Sequence, residues 1–177
     1  LAYSYNGELY TIKEGQQPKK VDIRVYSDQD EKDVEKFVIS GGATAFAVSP
    51  DEKEVAIVVR GDVFVTSSEF STTKRITNTA EQERDVCFSE DGRTIYYSSE
   101  RNGHWGIWRS SLANKNDKRF TYANDFKEEL FSDEGETCFQ PQVSPDGKYV
   151  AYLRDRTELV IKPTKGGKTI SLLKGVK

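Results

Sequence analysis

Ser-Pro-Asp-Gly-Lys at Ser144–Lys148 decides how this sequence is read. It occurs twice more, as Ser-Pro-Asp-Glu-Lys at Ser49–Lys53 and Ser-Glu-Asp-Gly-Arg at Ser89–Arg93. Each copy lies between two apolar runs. Phe46-Ala47-Val48, Val86-Cys87-Phe88 and Gln142-Val143 precede it. Val55-Ala56-Ile57-Val58-Val59, Ile95-Tyr96-Tyr97 and Tyr149-Val150-Ala151-Tyr152-Leu153 follow it. A fixed polar phrase between two strand-like runs marks a repeated β-unit.

The spacing sets the size of the unit. Ser49 and Ser89 are 40 residues apart, and Ser89 and Ser144 are 55 apart. The first value fits one four-stranded propeller blade of about 40–50 residues. The second fits a blade with an insertion. Leu1–Tyr10 aligns with Val55–Phe64, so the sequence opens in mid-blade and a segment of a longer protein is expected. The expected fold is all-β, with about four blades belonging to a larger propeller. The expected division is a partial blade over 1–40, blades over 41–80 and 81–123, a loop insertion over 124–137, and a blade over 138–177.

The middle repeat shows the strands most clearly. Arg84–Ser89, Thr94–Ser99, Gly106–Leu112 and Lys118–Tyr122 read as four antiparallel strands. Asp91-Gly92 supplies the positive φ that a tight turn needs. Val55–Val59 and Tyr149–Leu153 barely alternate, as expected for strands buried on both faces. Two segments exceed the plain repeat: Ser27–Ser40, which follows an outer strand Lys20–Tyr26, and Asn124–Thr137. Asp28–Glu35 reads as a solvated loop or a turn of helix. Asn124–Thr137 carries six acids against Lys127 alone. Those acids either recruit a basic partner or ride on a segment packed down by Phe126, Leu130 and Phe131.

Composition excludes several function classes. The net charge is -3 with 31% charged residues, unlike the basic cluster of a nucleic-acid footprint. No apolar run is long enough to span a bilayer, so membrane insertion is not expected. Two cysteines, Cys87 and Cys138, are too few for a disulfide framework, and their different strand positions disfavour a bond between them. The single histidine, His104, leaves no Cys/His metal set. No metal or cofactor is expected.

In a blade, the turn joining the second and third strands emerges on the same face as the link between blades. That face should carry Asn6, Gly7, Arg60, Asp62, Arg84, Asp85, Arg101, Asn102, His104, Arg154, Asp155 and Arg156. The candidate peptide-binding residues are Arg60, Arg84, Arg101, His104, Arg154 and Arg156. Arginines at a channel mouth hold a carboxylate through paired N–H donors. The competing reading is that they are loop charges paired with neighbouring acids. Trp108 reads as core, whereas Trp105 is either core or a ligand platform.

Several runs carry a family resemblance in order. They are Arg60–Val65, Lys74–Thr77, Glu83–Val86, Ser98–Gly103, Phe139–Lys148 and Leu153–Thr157. These resemble the propeller region of the tricorn protease family. The Ser-Pro-Asp-Gly phrase also occurs in TolB-type and prolyl-peptidase-type propellers. The resemblance implies a non-catalytic module that sorts or channels peptides toward a serine active site in a later domain. The implied partners are peptides or unfolded segments and the rest of the parent protease. The implied compartment is the periplasm, with the cytoplasm as the other choice. The alternative is a TolB-like platform for a protein partner in the cell envelope. Open blade edges also point to self-association.

No catalytic residue is expected here. There is no Gly-x-Ser-x-Gly elbow, and one loop histidine cannot build a nucleophile–base–orienter set. The purified chain should therefore show no turnover of unstructured peptides. Hydrolysis that disappears in His104→Ala would overturn this.

Overall fold

The strand–turn–strand unit forms at all three motif copies, closed by the same hydrogen bonds. Ser49 Oγ donates to Asp51 Oδ1 at 2.7 Å and accepts the Glu54 N–H at 2.9 Å. Ser89 repeats this with Asp91 at 2.6 Å and Thr94 at 2.9 Å, and Ser144 with Asp146 at 2.7 Å and Tyr149 at 3.0 Å. Each aspartate oxygen also accepts the N–H two residues on, from Lys53, Arg93 or Lys148. The motif is thus a side-chain clamp on a tight turn. In the last copy the Ser144 hydroxyl, then the Lys148 N–H and ammonium, bring the Asp146 carboxyl down to about 2.

The structure, a computed structural model, describes residues 1–5, 8–22, 38, 40–101 and 103–175. It divides into two units, 1–39 and 40–177. The first holds β1 (Ala2–Tyr5), β2 (Glu8–Thr11) and β3 (Lys19–Lys20) in an antiparallel sheet of that order. Tyr3 stacks on Tyr10 at 5.6 Å, and Lys20 pairs with Glu8. The expected loop or helical turn over Asp28–Glu35 and most of Ser27–Ser40 lie outside the described residues.

The second unit contains three four-stranded antiparallel meanders. They are β4–β7 (Ala43–Val48, Glu54–Val59, Asp62–Ser67, Thr73–Arg75), β8–β11 (Glu83–Phe88, Thr94–Arg101, His104–Leu112, Phe126–Leu130) and β12–β15 (Cys138–Val143, Tyr149–Arg154, Glu158–Pro163, Ile170–Lys174). No helix occurs among the described residues.

The middle blade is buried on both faces. Val86, Phe88, Ile95 and Tyr97 pack with Val58, Val63 and Val65 of the blade before it. Cys87, Tyr96 and Ile107 pack with Val150, Tyr152 and Val160 of the blade after it. Successive side chains of a strand point to opposite faces. Between two neighbours both faces are apolar, and β9 is buried on both from Ile95 to Ser99. Val55–Val59 and Tyr149–Leu153, expected to be buried on both faces, instead alternate between buried and half-buried or exposed residues over most of their length, because within this unit each packs against one neighbouring blade.

One strand assignment is corrected. The fourth strand of the middle blade is Phe126–Leu130, not Lys118–Tyr122, so 124–137 is not simply an inserted loop. The reason is a competing acceptor. Buried Glu54, from the preceding blade, takes the Phe120 N–H at 3.1 Å, the Thr121 N–H at 2.8 Å and the Thr121 hydroxyl at 2.7 Å. Phe120 is fully buried and stacks on Phe126 at 5.5 Å. The segment becomes a wedge between blades, and its amides are not free for a ladder.

Neighbouring motif turns also nest. A Cβ on Gly147 would come within 3.1 Å of Glu90 Cβ, while one on Gly92 would sit 3.6 Å from Pro50 Cδ. Both glycines have φ +67, the left-handed region that side chains disfavour, yet Glu52 occupies the same turn position at φ 59. Glu52→Gly should therefore stabilise the chain by about 1 kcal/mol in urea unfolding. Gly147→Ala should destabilise it more than Gly92→Ala does. The reverse order would refute the nesting.

Candidate functional site

Inner strands β8 and β12 each break register near their start, between Arg84 and Val86 and between Phe139 and Gln142. At these bulges Asp85 has φ 48 and Gln140 has φ 56. Asp85 Oδ2 accepts the Gln140 N–H at 3.1 Å and the Ser98 hydroxyl at 3.0 Å. One carboxylate thus joins the two bulges. A bulge re-aims the flanking side chains, and the flanking residues here are Arg84 and Phe139.

Four side chains meet there. The Arg84 guanidinium lies 4.7 Å over Trp105, and the Arg156 guanidinium lies 4.9 Å over Phe139. Trp105 and Phe139 sit 5.6 Å apart, tilted by 35°. Arg84 and Arg156 are exposed, and among the described residues neither has a carboxylate partner. Arg84 donates to the neutral Gln82 side chain at 3.0 Å. A guanidinium over an aromatic face is attracted without being neutralised, and its N–H donors stay available for an anion.

Other expected site residues are placed differently. Arg101 grips Glu128 with two bonds of 2.7 Å and stacks 4.0 Å over Trp108. Burial works against the charge of Arg101, and Glu128 more than offsets it, so its pKa is raised. Arg154 donates to Glu136 at 2.6 Å and Glu158 at 2.9 Å, and Glu136 is the larger cause of its raised pKa. These two arginines spend their donors inside the fold. Arg60 is exposed in the β5–β6 turn at φ 56, and His104 is exposed opposite Arg101 across the β9–β10 turn. Asn6, Gly7 and Asn102 lie outside the described residues.

The acidic segment is used internally. Glu128, Glu129, Asp133 and Glu136 pair with Arg101, Arg109, Lys162 and Arg154. Phe131 is buried against Tyr96 at 5.1 Å. Cys87 and Cys138 are free, and burial pushes each thiol up to about 12, far from a ready thiolate. Among the described residues no group of three His, Cys, Asp or Glu is placed to hold a metal, and no helix is long and apolar enough to cross a membrane.

Repeated motif turns, meandering four-stranded sheets and inner-strand bulges define a β-propeller built of blades with a Ser-x-Asp turn. The chain belongs to the TolB beta propeller domain family, PD40, which matches residues 3–175. It is similar to a structure described as putative TolB from Agrobacterium tumefaciens (19% identity, TM-score 0.59, 95% of this chain and 57% of that one). It is also similar to the tricorn protease structure (16% identity, TM-score 0.53, 83% of this chain and 14% of that one). This chain thus spans just over half of the first and about a seventh of the second. No curated protein matches the sequence.

The two classes of arginine should separate in stability measurements. Arg101→Ala leaves the partly buried Glu128 without its cation, with the Tyr97 hydroxyl as its remaining donor, and should cost about 2 kcal/mol or more. Arg84→Ala and Arg156→Ala should stay within about 0.5 kcal/mol of the parent. Equal losses in urea unfolding would mean that Arg84 and Arg156 are structural as well.

Proposed function

We propose that this chain is a non-catalytic propeller module that binds peptides or unfolded segments by their carboxylate, as part of a tricorn-like serine peptidase. One observation carries the reading: Arg84 and Arg156 flank the Trp105–Phe139 pair and keep their charge uncompensated among the described residues. The backbone supports it. Arg156 stands at φ 59, where the β5–β6 and β9–β10 turns have Gly61 at φ 87 and Gly103 at φ 76. Holding a long side chain there costs about 1–2 kcal/mol, and strain of this kind collects at functional sites. The binding set narrows to Arg84 and Arg156, with exposed Arg60 and His104 near the same face. Arg101 and Arg154 serve as supports.

The second reading is a TolB-like platform for a protein partner of the cell envelope. It draws on the family and on the first structural likeness. A periplasmic location goes with either reading, as does pairing of chains through the exposed Ile170, Leu172 and Leu173 of β15.

Fluorescence anisotropy with labelled peptides tests the first reading. Peptides with a free C-terminus should bind more tightly than their amides, by about tenfold for one lost charge-assisted contact. Arg84→Ala and Arg156→Ala should each remove most of that difference. Equal binding of acid and amide would sink the carboxylate reading and favour the platform.

A further inference from the structure

Glu83 is the first residue of β8, and its side chain is wholly buried. Its Oε1 accepts the Ser99 hydroxyl at 2.9 Å and the Thr79 hydroxyl at 3.2 Å. Its Oε2 is buried with no partner. Arg101 Nη2 stands 3.9 Å from Oε1, but its fork is engaged on Glu128. We propose that Glu83 and Glu128 compete for Arg101, so that the proton on Glu83 decides how the β9–β10 hairpin is held.

The heavy-atom positions also fit a neutral Glu83, in which one of the two hydroxyls on Oε1 becomes the acceptor. A proton on Oε1 can be donated to the Ser99 or Thr79 oxygen. Ser99 Oγ already accepts from Arg101 Nε at 3.0 Å and retains a second lone pair. Oε2 is then an uncharged carbonyl oxygen, which costs far less to leave unpaired than a buried charge. Burial pushes the Glu83 carboxyl above the ordinary value, with the Ser99 hydroxyl pulling the other way.

Loss of the proton to solvent changes the balance. The new charge has no donor near Oε2 beyond the Thr77 hydroxyl, and Arg101 is the nearest cation. A shift of about 1 Å brings Nη2 into hydrogen-bond range of Glu83 and draws it from Glu128. Glu128 in turn holds the Tyr97 hydroxyl, which also meets Ser110 Oγ at 2.9 Å. Trp108 lies directly beneath the moving guanidinium.

The surroundings of Glu83 contain few other charges. β9 contributes Arg101 and, beyond it, Tyr97; β11 contributes Glu128, whose pKa Arg101 and Tyr97 hold down against the effect of burial. The stretch before β8 contributes the hydroxyls of Thr77 and Thr79. The β5–β6 turn contributes the Gly61 carbonyl, which takes the Glu83 N–H at 2.7 Å. The sign of the pH effect follows. The folded chain holds the proton more tightly than the unfolded chain. Stability from this group is complete below the ordinary glutamate value and declines as pH rises through the raised one.

The test uses the full chain carrying Trp105→Phe and His104→Gln. Trp108 is then the only tryptophan, and no histidine titrates. Its emission is followed from about pH 4 to about pH 8, with urea stability measured at the same points. One sigmoidal change is expected, with its midpoint above the ordinary glutamate value and a parallel fall in stability. Adding Glu83→Gln should abolish both. Adding Glu128→Gln should lower the midpoint, because Arg101 is released to Glu83. Flat emission, an identical transition with Glu83→Gln, or an unmoved midpoint with Glu128→Gln would overturn the proposal.

Discussion

A serine hydroxyl that donates to an aspartate two residues on and accepts an amide five residues on sets the phase of every blade in the second unit. Phase matters because the side-chain period of a strand is two. A slip of one residue between β8 and β9 would send Val86 and Phe88 toward the wrong neighbour and Cys87 into their place. The two cores on either side of the middle blade share no residue, so each would receive side chains of the wrong volume. The polar clamp at the turn keeps the apolar contacts in register.

Much of this was legible in the sequence because it is local. The motif turns, the inner strands and the second strands are written in stretches of five to nine residues, although which second strand is buried on both faces is decided by its neighbours. The fourth strand of the middle blade was not legible. Lys118–Tyr122 has the composition of a strand, and only Glu54, far back in the chain, makes it a wedge. The bulges were also invisible, since Asp85 and Gln140 carry no glycine to announce a positive φ.

The arginines expected at the channel face show the same limit in electrostatic form. Arg60, Arg84, Arg101, Arg154 and Arg156 look alike as letters. Arg101 and Arg154 find acids on β11 and on the stretch before β12, which the chain reaches only by folding back. Arg84 and Arg156 find aromatic rings instead. A ring attracts a cation without neutralising it, so only the second pair keeps its net charge at the surface. Tertiary structure divides these cations into those paired inside the fold and those left uncompensated among the described residues.

Repeat arrays commonly unravel from an end, because each unit touches only its neighbours through extended, interchangeable surfaces. Glu54 gives one junction a different character. Its carboxylate takes three hydrogen bonds from Phe120 and Thr121, and its side chain is sealed from water. Pulling the first blade of this unit away would take the Glu54 carboxyl from its three donors and leave the Phe120 and Thr121 amides without their acceptor. The middle blade therefore cannot keep its wedge without its predecessor. These two blades should melt, exchange amide hydrogens and resist proteases as one cooperative block, although the motif alone would divide them into two repeats.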